Sequence, residues 1–141
     1  MLKEVVRNTL AALAGALTGM VLIMLIQALN RWVYPVPAGV TPANKEAFLA
    51  YLQAAPLAAL LVVLASYLVG VTAGAWVAGS LSFNYPARQA IMVVALYFVG
   101  SVMNLLSFPH PAWFWVANLA VVLGAGWLAL KLQPAPAAPA A

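Results

Sequence analysis

Cysteine is missing from this 141-residue chain, and so is aspartate. The first absence excludes disulfides, thiolate metal sites and cysteine nucleophiles, and leaves the redox compartment unread. The second leaves Glu4 and Glu46 as the whole complement of carboxylates. Charged residues make up 6% of the chain, against about 25% in a soluble domain that must stay hydrated. With 67% hydrophobic residues and a mean hydropathy of +1.04, this chain cannot be covered by water, and its solvent must be lipid. A single histidine, His110, rules out a haem held by two axial histidines and a histidine-rich metal site, so neither cofactor nor metal is expected. Flanked by prolines in a hairpin, it reads as an interfacial turn residue.

The apolar stretches lack what several membrane activities need. Ion-coupled transport requires a carboxylate or another ionisable group at membrane depth to bind and release the ion. No Asp, Glu, Lys or Arg lies between Arg7 and Arg31, Pro56 and Arg88, or Arg88 and Lys131. Serine and threonine are plentiful, but no base stands near them in sequence to activate a nucleophile. The glycine-rich region 70–79 has neither the lysine nor the strand context of a phosphate-cradling loop. The chain therefore reads as non-enzymatic.

What the chain does have is four apolar runs and punctuation between them. Residues 9–30 are nearer the ~20 needed to span a bilayer than the 7–15 of a signal-peptide core, so the first run is expected to be an uncleaved transmembrane helix. Further spans are expected at about 56–81, 89–107 and 112–130, and the fold class is an all-α, antiparallel four-helix membrane bundle. Between the first two spans, Pro35 and Pro37 stop the helix, and Thr41-Pro42 offers a cap and a first helical position. Phe48, Leu49, Leu52 and Ala55 then recur at helical spacing, which predicts a short amphipathic surface helix over about 42–54. The short turns at 82–86 and 108–111 make their flanking helices antiparallel neighbours. The Pro/Ala tail 132–141 has too little apolar surface to fold and is expected to be disordered.

The six basic residues, Lys3, Arg7, Arg31, Lys45, Arg88 and Lys131, sit singly at the ends of apolar runs. That placement marks membrane flanks rather than a nucleic-acid surface. Four of them fall on the side of the two termini and two on the other, so both termini are expected in the cytoplasm of a bacterial inner membrane.

Two sets of residues stand out as candidate sites. Ser66, Gly70, Gly74, Ala78 and Ser82, four apart on the second span, form a shallow groove; Ala11, Gly15 and Gly19 form a similar row on the first. In lipid, small residues let helix backbones approach closely, so the groove predicts helix–helix association, as a homo-oligomer or as an accessory subunit of a larger complex. The second set is polar and lies toward the outer leaflet: Gln27, Asn30, Arg31, Ser101, Asn104, His110 and Asn118. It suggests an outward-facing vestibule and, as the alternative function, a small channel or facilitator; the plainer reading is that the amides bridge helices.

YPVPAG after the first span, ASYLVGVTAGAWVAG in the second and GSVMNLLSFPHPAWFWV leading into the fourth resemble a family of uncharacterised small bacterial membrane proteins with four spans. The resemblance covers roughly residues 15–131 and is most specific at Asn104, Pro109, Pro111 and Trp113. It implies the four-span architecture and no activity. Family members often carry a histidine in the second span and an acid in the fourth; here Ser66 or Tyr67 and Asn118 stand at those places.

Overall fold

The computed structural model describes residues 1–108 and 110–133 and is all-helical. Five helices follow one another: α1 (Leu2–Val33), α2 (Lys45–Ala54), α3 (Leu57–Leu81), α4 (Pro86–Ser107) and α5 (Ala112–Lys131). All except α2 are long and apolar enough to cross a bilayer. Their starts follow local chemistry. Pro86 occupies the first turn of α4, where its missing N–H would have had no helical partner anyway, and Pro56 and Pro111 immediately precede α3 and α5.

Several boundaries differ from the sequence expectation: α1 runs on to Val33, and α4 begins at Pro86, inside the turn expected at 82–86. α1 starts at Leu2 rather than near residue 9, because its polar first turns dock on the α3–α4 turn. Arg7 Nε donates to the Leu81 carbonyl at 3.2 Å, and Asn8 Oδ1 accepts from Ser82 Oγ at 3.1 Å and from the Phe83 N–H at 2.9 Å. α2 starts at Lys45, capped by Asn44, whose Oδ1 accepts from the Ala47 N–H at 3.4 Å. Thr41 instead begins a turn closed by the Asn44 N–H on its carbonyl. Order also runs past Lys131: Trp76 Nε1 donates to the Leu132 carbonyl at 3.0 Å and Gln133 Nε2 to the Ala75 carbonyl at 3.3 Å. Pro109 and the tail beyond Gln133 lie outside the described residues.

α3 is the hub. It touches α1, α4 and α5, whereas α1 and α5 do not meet. The α1–α3 pairing is antiparallel and keeps one register from end to end, from Arg7–Leu81 through Gly19–Gly70 to Asn30–Ala59. Along that seam Ala11, Gly15, Gly19 and Ile23 face Ser66, Gly70, Gly74 and Ala78, and all eight are buried. A Cβ on Gly19 would sit 2.6 Å from the Gly70 carbonyl oxygen, and one on Gly74 2.6 Å from that of Gly15. The two backbones are in contact, which only glycine permits.

The groove on α3 is thus filled by α1 of the same chain. Of the two ways the groove could be filled, within one chain or between chains, the structure has the first: the α1 row meets the α3 row and occupies it. Ser82 also leaves the groove: it caps the C-terminal end of α3, with its hydroxyl on Asn8.

On its other sides α3 packs with α4 and α5 through small and branched residues. Val71, Ala75, Ala78, Ala90, Val122, Ala125 and Ala129 are each 0% exposed. α1 meets α4 more loosely, chiefly where the Tyr97 hydroxyl donates to the Ala16 carbonyl at 2.6 Å.

Gly74→Leu should unseat α1 from α3, costing about 1–3 kcal/mol or more from overpacking, while the chain still inserts. Gly100→Ala, whose new Cβ would meet nothing within 4 Å, should leave stability unchanged or slightly raised. Thermal unfolding in detergent, followed by circular dichroism, separates the two outcomes.

Candidate functional site

On the side of the bundle where α1 ends and α5 begins, a cavity of about 610 Å³ opens beneath α2. This is within the usual size of small-molecule sites, about 300–1,000 Å³. α1 contributes Gln27, Asn30 and Arg31, whose spacing of three and four residues puts them on one face. α4 contributes Asn104, and the α4–α5 turn contributes His110. The remaining wall is apolar, including Leu60 and Val63 of α3 and Leu52 of α2, with Tyr67 from α3 at the deep end.

The roof is lightly attached. The backbone of α2 packs against no other helix, and its link to the bundle is aromatic: Phe48 meets Phe108 edge-on with ring centroids 5.1 Å apart. The loop leading to it turns at residues 37–40, where Gly39 has φ +84°, a left-handed conformation that side chains disfavour.

Within the vestibule some polar groups are used by the fold and others are not. Gln27 Nε2 donates to Ser66 Oγ at 3.3 Å, and that hydroxyl donates to the Val63 carbonyl at 2.6 Å. Asn30 Nδ2 donates to the Ala59 carbonyl at 3.0 Å, which leaves its buried Oδ1 without a partner. Arg31 is exposed, and among the described residues no carboxylate forms an ion pair with it. Glu4, at the far end of α1, accepts instead from Asn84 Nδ2 at 3.3 Å. The vestibule therefore offers one uncompensated cation with amide donors and acceptors beside it.

His110 forms one side of the site. Its Nδ1 lies 2.8 Å from the Phe108 carbonyl, which can only accept, so Nδ1 carries the proton and Nε2 is the free acceptor. The ring stacks on Phe114 at 4.9 Å and 12°. Burial pushes its pKa below the ordinary histidine value, with the Phe108 carbonyl opposing by favouring the charged ring.

Gln27, Asn30, Arg31, Asn104 and His110 come together as the sequence suggested, but Ser101 and Asn118 do not join them. Asn118 is 2% exposed, one turn below Phe114 on the same face of α5, and Phe114 at 1% seals it into the core. Ser101, 1% exposed, lies one turn deeper than Asn104 and lines a different cavity of about 510 Å³ between α1 and α4. Sequence reasoning gave Tyr67 no part in the site, although it lines both cavities. The available signal was its depth, well inside a span and away from the interfaces that tyrosine prefers.

Below the vestibule the bundle closes on the α3–α5 side. Val71, Ala75, Val122 and Ala125, where α3 meets α5, are fully buried. No three His, Cys, Asp or Glu side chains gather anywhere among the described residues. Comparison with family models, curated proteins and solved structures finds no match to this chain.

Because the folded His110 titrates below the unfolded value, its contribution to stability is complete above about pH 6.5 and falls as acidification carries the ring through its lowered pKa. Lowering the pH from 7.5 to 5 should therefore destabilise the protein and shift the emission of Trp113 and Trp115. His110→Gln should flatten both responses, as read by fluorescence-detected melting across that range.

Proposed function

We propose that this is a non-enzymatic, multi-pass membrane protein of the bacterial inner membrane that binds a polar ligand in the vestibule beneath α2. The observation that carries the reading is the convergence of Arg31, Asn30, Gln27, Asn104 and His110 on one cavity, with the guanidinium lacking an acidic partner. A protein that needed these groups merely to bridge helices would have consumed them. Gln27 and the Asn30 amide nitrogen are used in bridging α1 to α3, but Arg31 remains free, and a bound molecule would supply its partner.

The distribution of basic residues supports an orientation with both termini cytoplasmic, Lys3, Arg7, Arg88 and Lys131 against Arg31 and Lys45. The vestibule then opens outward. The resemblance to small four-span bacterial membrane proteins accords with this reading and adds no activity to it. Arg31 and His110 are binding groups without a carboxylate to act with them, which favours recognition over bond-making. Against a facilitator, the lining of the α1–α4 cavity below Tyr67 is almost wholly apolar, which favours a receptor-like pocket over an aqueous pore.

Association with another copy or a larger complex is the second reading, and it now rests on a different surface. Ala120 and Gly124 face outward on α5, four residues apart, and a Cβ on Gly124 would meet nothing within 4 Å. Gly124→Leu is expected to reduce the assembled mass in native electrophoresis without loss of helix content, if that face receives a neighbouring helix.

The absence of native cysteine makes the vestibule directly testable. In intact inverted and right-side-out vesicles, Asn104→Cys should react with a membrane-impermeant maleimide from the periplasmic side alone, and Ala75→Cys should not react from either. An unreactive Asn104→Cys would mean that the cavity is closed to water and that the binding reading is wrong.

A further inference from the structure

The vestibule does not end in a sealed floor toward α4. Directly beneath it, one turn below Gln27 on α1 and one turn below Asn104 on α4, begins the α1–α4 cavity of about 510 Å³. Tyr67 belongs to the walls of both, so the two spaces share α1, α3 and α4 and meet at its ring. Their chemistry changes sharply at that junction. Above it stand Arg31 and the amides; below it the lining is Leu13, Leu17, Met20, Met24 and Leu96, residues that are about half exposed and look out into the lipid.

From this continuity we infer that the site receives an anionic phospholipid, headgroup in the vestibule against Arg31 and one acyl chain in the cleft between α1 and α4. The inference rests on the vestibule being a ligand site and specifies what fills it. Three features support a lipid rather than a soluble anion. The cleft opens sideways to the bilayer, so an amphiphile can enter without leaving the membrane. At ~1.5 Å per residue its wall on α1, residues 13–24, is about 16 Å long, which suits an extended acyl chain rather than a small solute. Ser101, beside Tyr67, stands just under the junction where the lining turns from polar to apolar, the arrangement an amphiphile requires and a small soluble anion does not.

The loose α1–α4 contact is then explained. α1 spends its small residues on α3 and turns bulky ones toward α4, leaving a slot that the bundle alone does not fill. Methionine suits such a lining because its flexible, polarisable thioether adapts to a mobile chain. The positive charge selects among headgroups: a phosphodiester whose charge is not cancelled by an ammonium would complete Arg31 with charge-assisted hydrogen bonds, and a zwitterionic headgroup would do so less well.

The test uses the full chain in nanodiscs of equal phosphatidylglycerol and phosphatidylcholine, followed by release into mild detergent and native mass spectrometry. The wild type should retain one phosphatidylglycerol in preference to phosphatidylcholine by about tenfold, the ratio one charge-assisted hydrogen bond supports. Arg31→Gln should erase that preference. Gly100→Phe should abolish retention, because Gly100 lines the cleft and its Cβ would meet nothing within 4 Å, so the ring would fill the slot without disturbing the helices. Ile91→Phe, at an exposed position on α4 that lines neither space, should retain lipid as the wild type does. Equal retention of both lipids, or unchanged retention in Gly100→Phe, overturns the inference. If that happens while Asn104→Cys still reacts with maleimide, the vestibule stands as a ligand site and only its lipid occupant is wrong; if Asn104→Cys is inert, both fall together.

Discussion

The contact between the glycine backbones of α1 and α3 is the constraint from which the rest of the architecture follows. In lipid, apolar side chains gain little by leaving their solvent, so two helices stay together through close van der Waals approach and the weak C–H to carbonyl contacts that it permits. Gly15, Gly19, Gly70 and Gly74 bring the axes near enough for carbonyl oxygens to take the places where Cβ atoms would otherwise be. Hydrogen bonds lock the register at both ends of the seam, Asn8 with Ser82 on one side of the bilayer and Asn30 with the Ala59 carbonyl on the other. Once α1 is committed to α3 in this way, its opposite face cannot also pack closely on α4, and the lateral cleft is the remainder.

The polar residues divide along the same line. Those near the seam, Gln27 through Ser66 and Asn30 through its amide nitrogen, bridge α1 and α3, as intramembrane amides commonly do. Arg31, Asn104 and His110 line the cavity beneath α2, and they border space instead of one another. The distinction between glue and site is therefore geometric and depends on where along the bundle each side chain falls, since the residue types are shared. An arginine facing an open cavity beneath a lightly held surface helix needs a counter-charge, and the membrane surface is rich in candidates.

Much of this was legible in the residues. The hydropathy runs and Pro56 marked spans, because apolar length and a proline at a helix start are local properties that need no knowledge of the partner helix; Pro86, read as part of a turn, opens α4 for the same reason. The four-residue rows of small side chains, Ser82 apart, lie where α1 and α3 face each other. What they could not carry was whether the two rows would meet within one chain, since spacing defines a face and says nothing about its occupant. The polar first turns of α1 were missed for a related reason: hydropathy measures the lipid-facing length, and Arg7 and Asn8 extend the helix through bonds to a turn more than seventy residues away. Asn118 shows the limit of depth alone. It lies near the height of the other amides, but Phe114, one turn above on the same helix face, cuts it off from the vestibule.

The pairing of the first span with the third element, across the intervening loop and surface helix, also bears on how the chain is made. α1 enters the membrane while α3 is still to be synthesised, so its exposed glycine backbone must wait among lipids, with nothing that fits it, until the complementary row arrives. Biogenesis thus contains an obligatory orphan stage, and the length of the connection through α2 sets how long that stage lasts. A protein built this way is most vulnerable to quality control during translation, before its second crossing is complete, and becomes secure only when that crossing closes the seam.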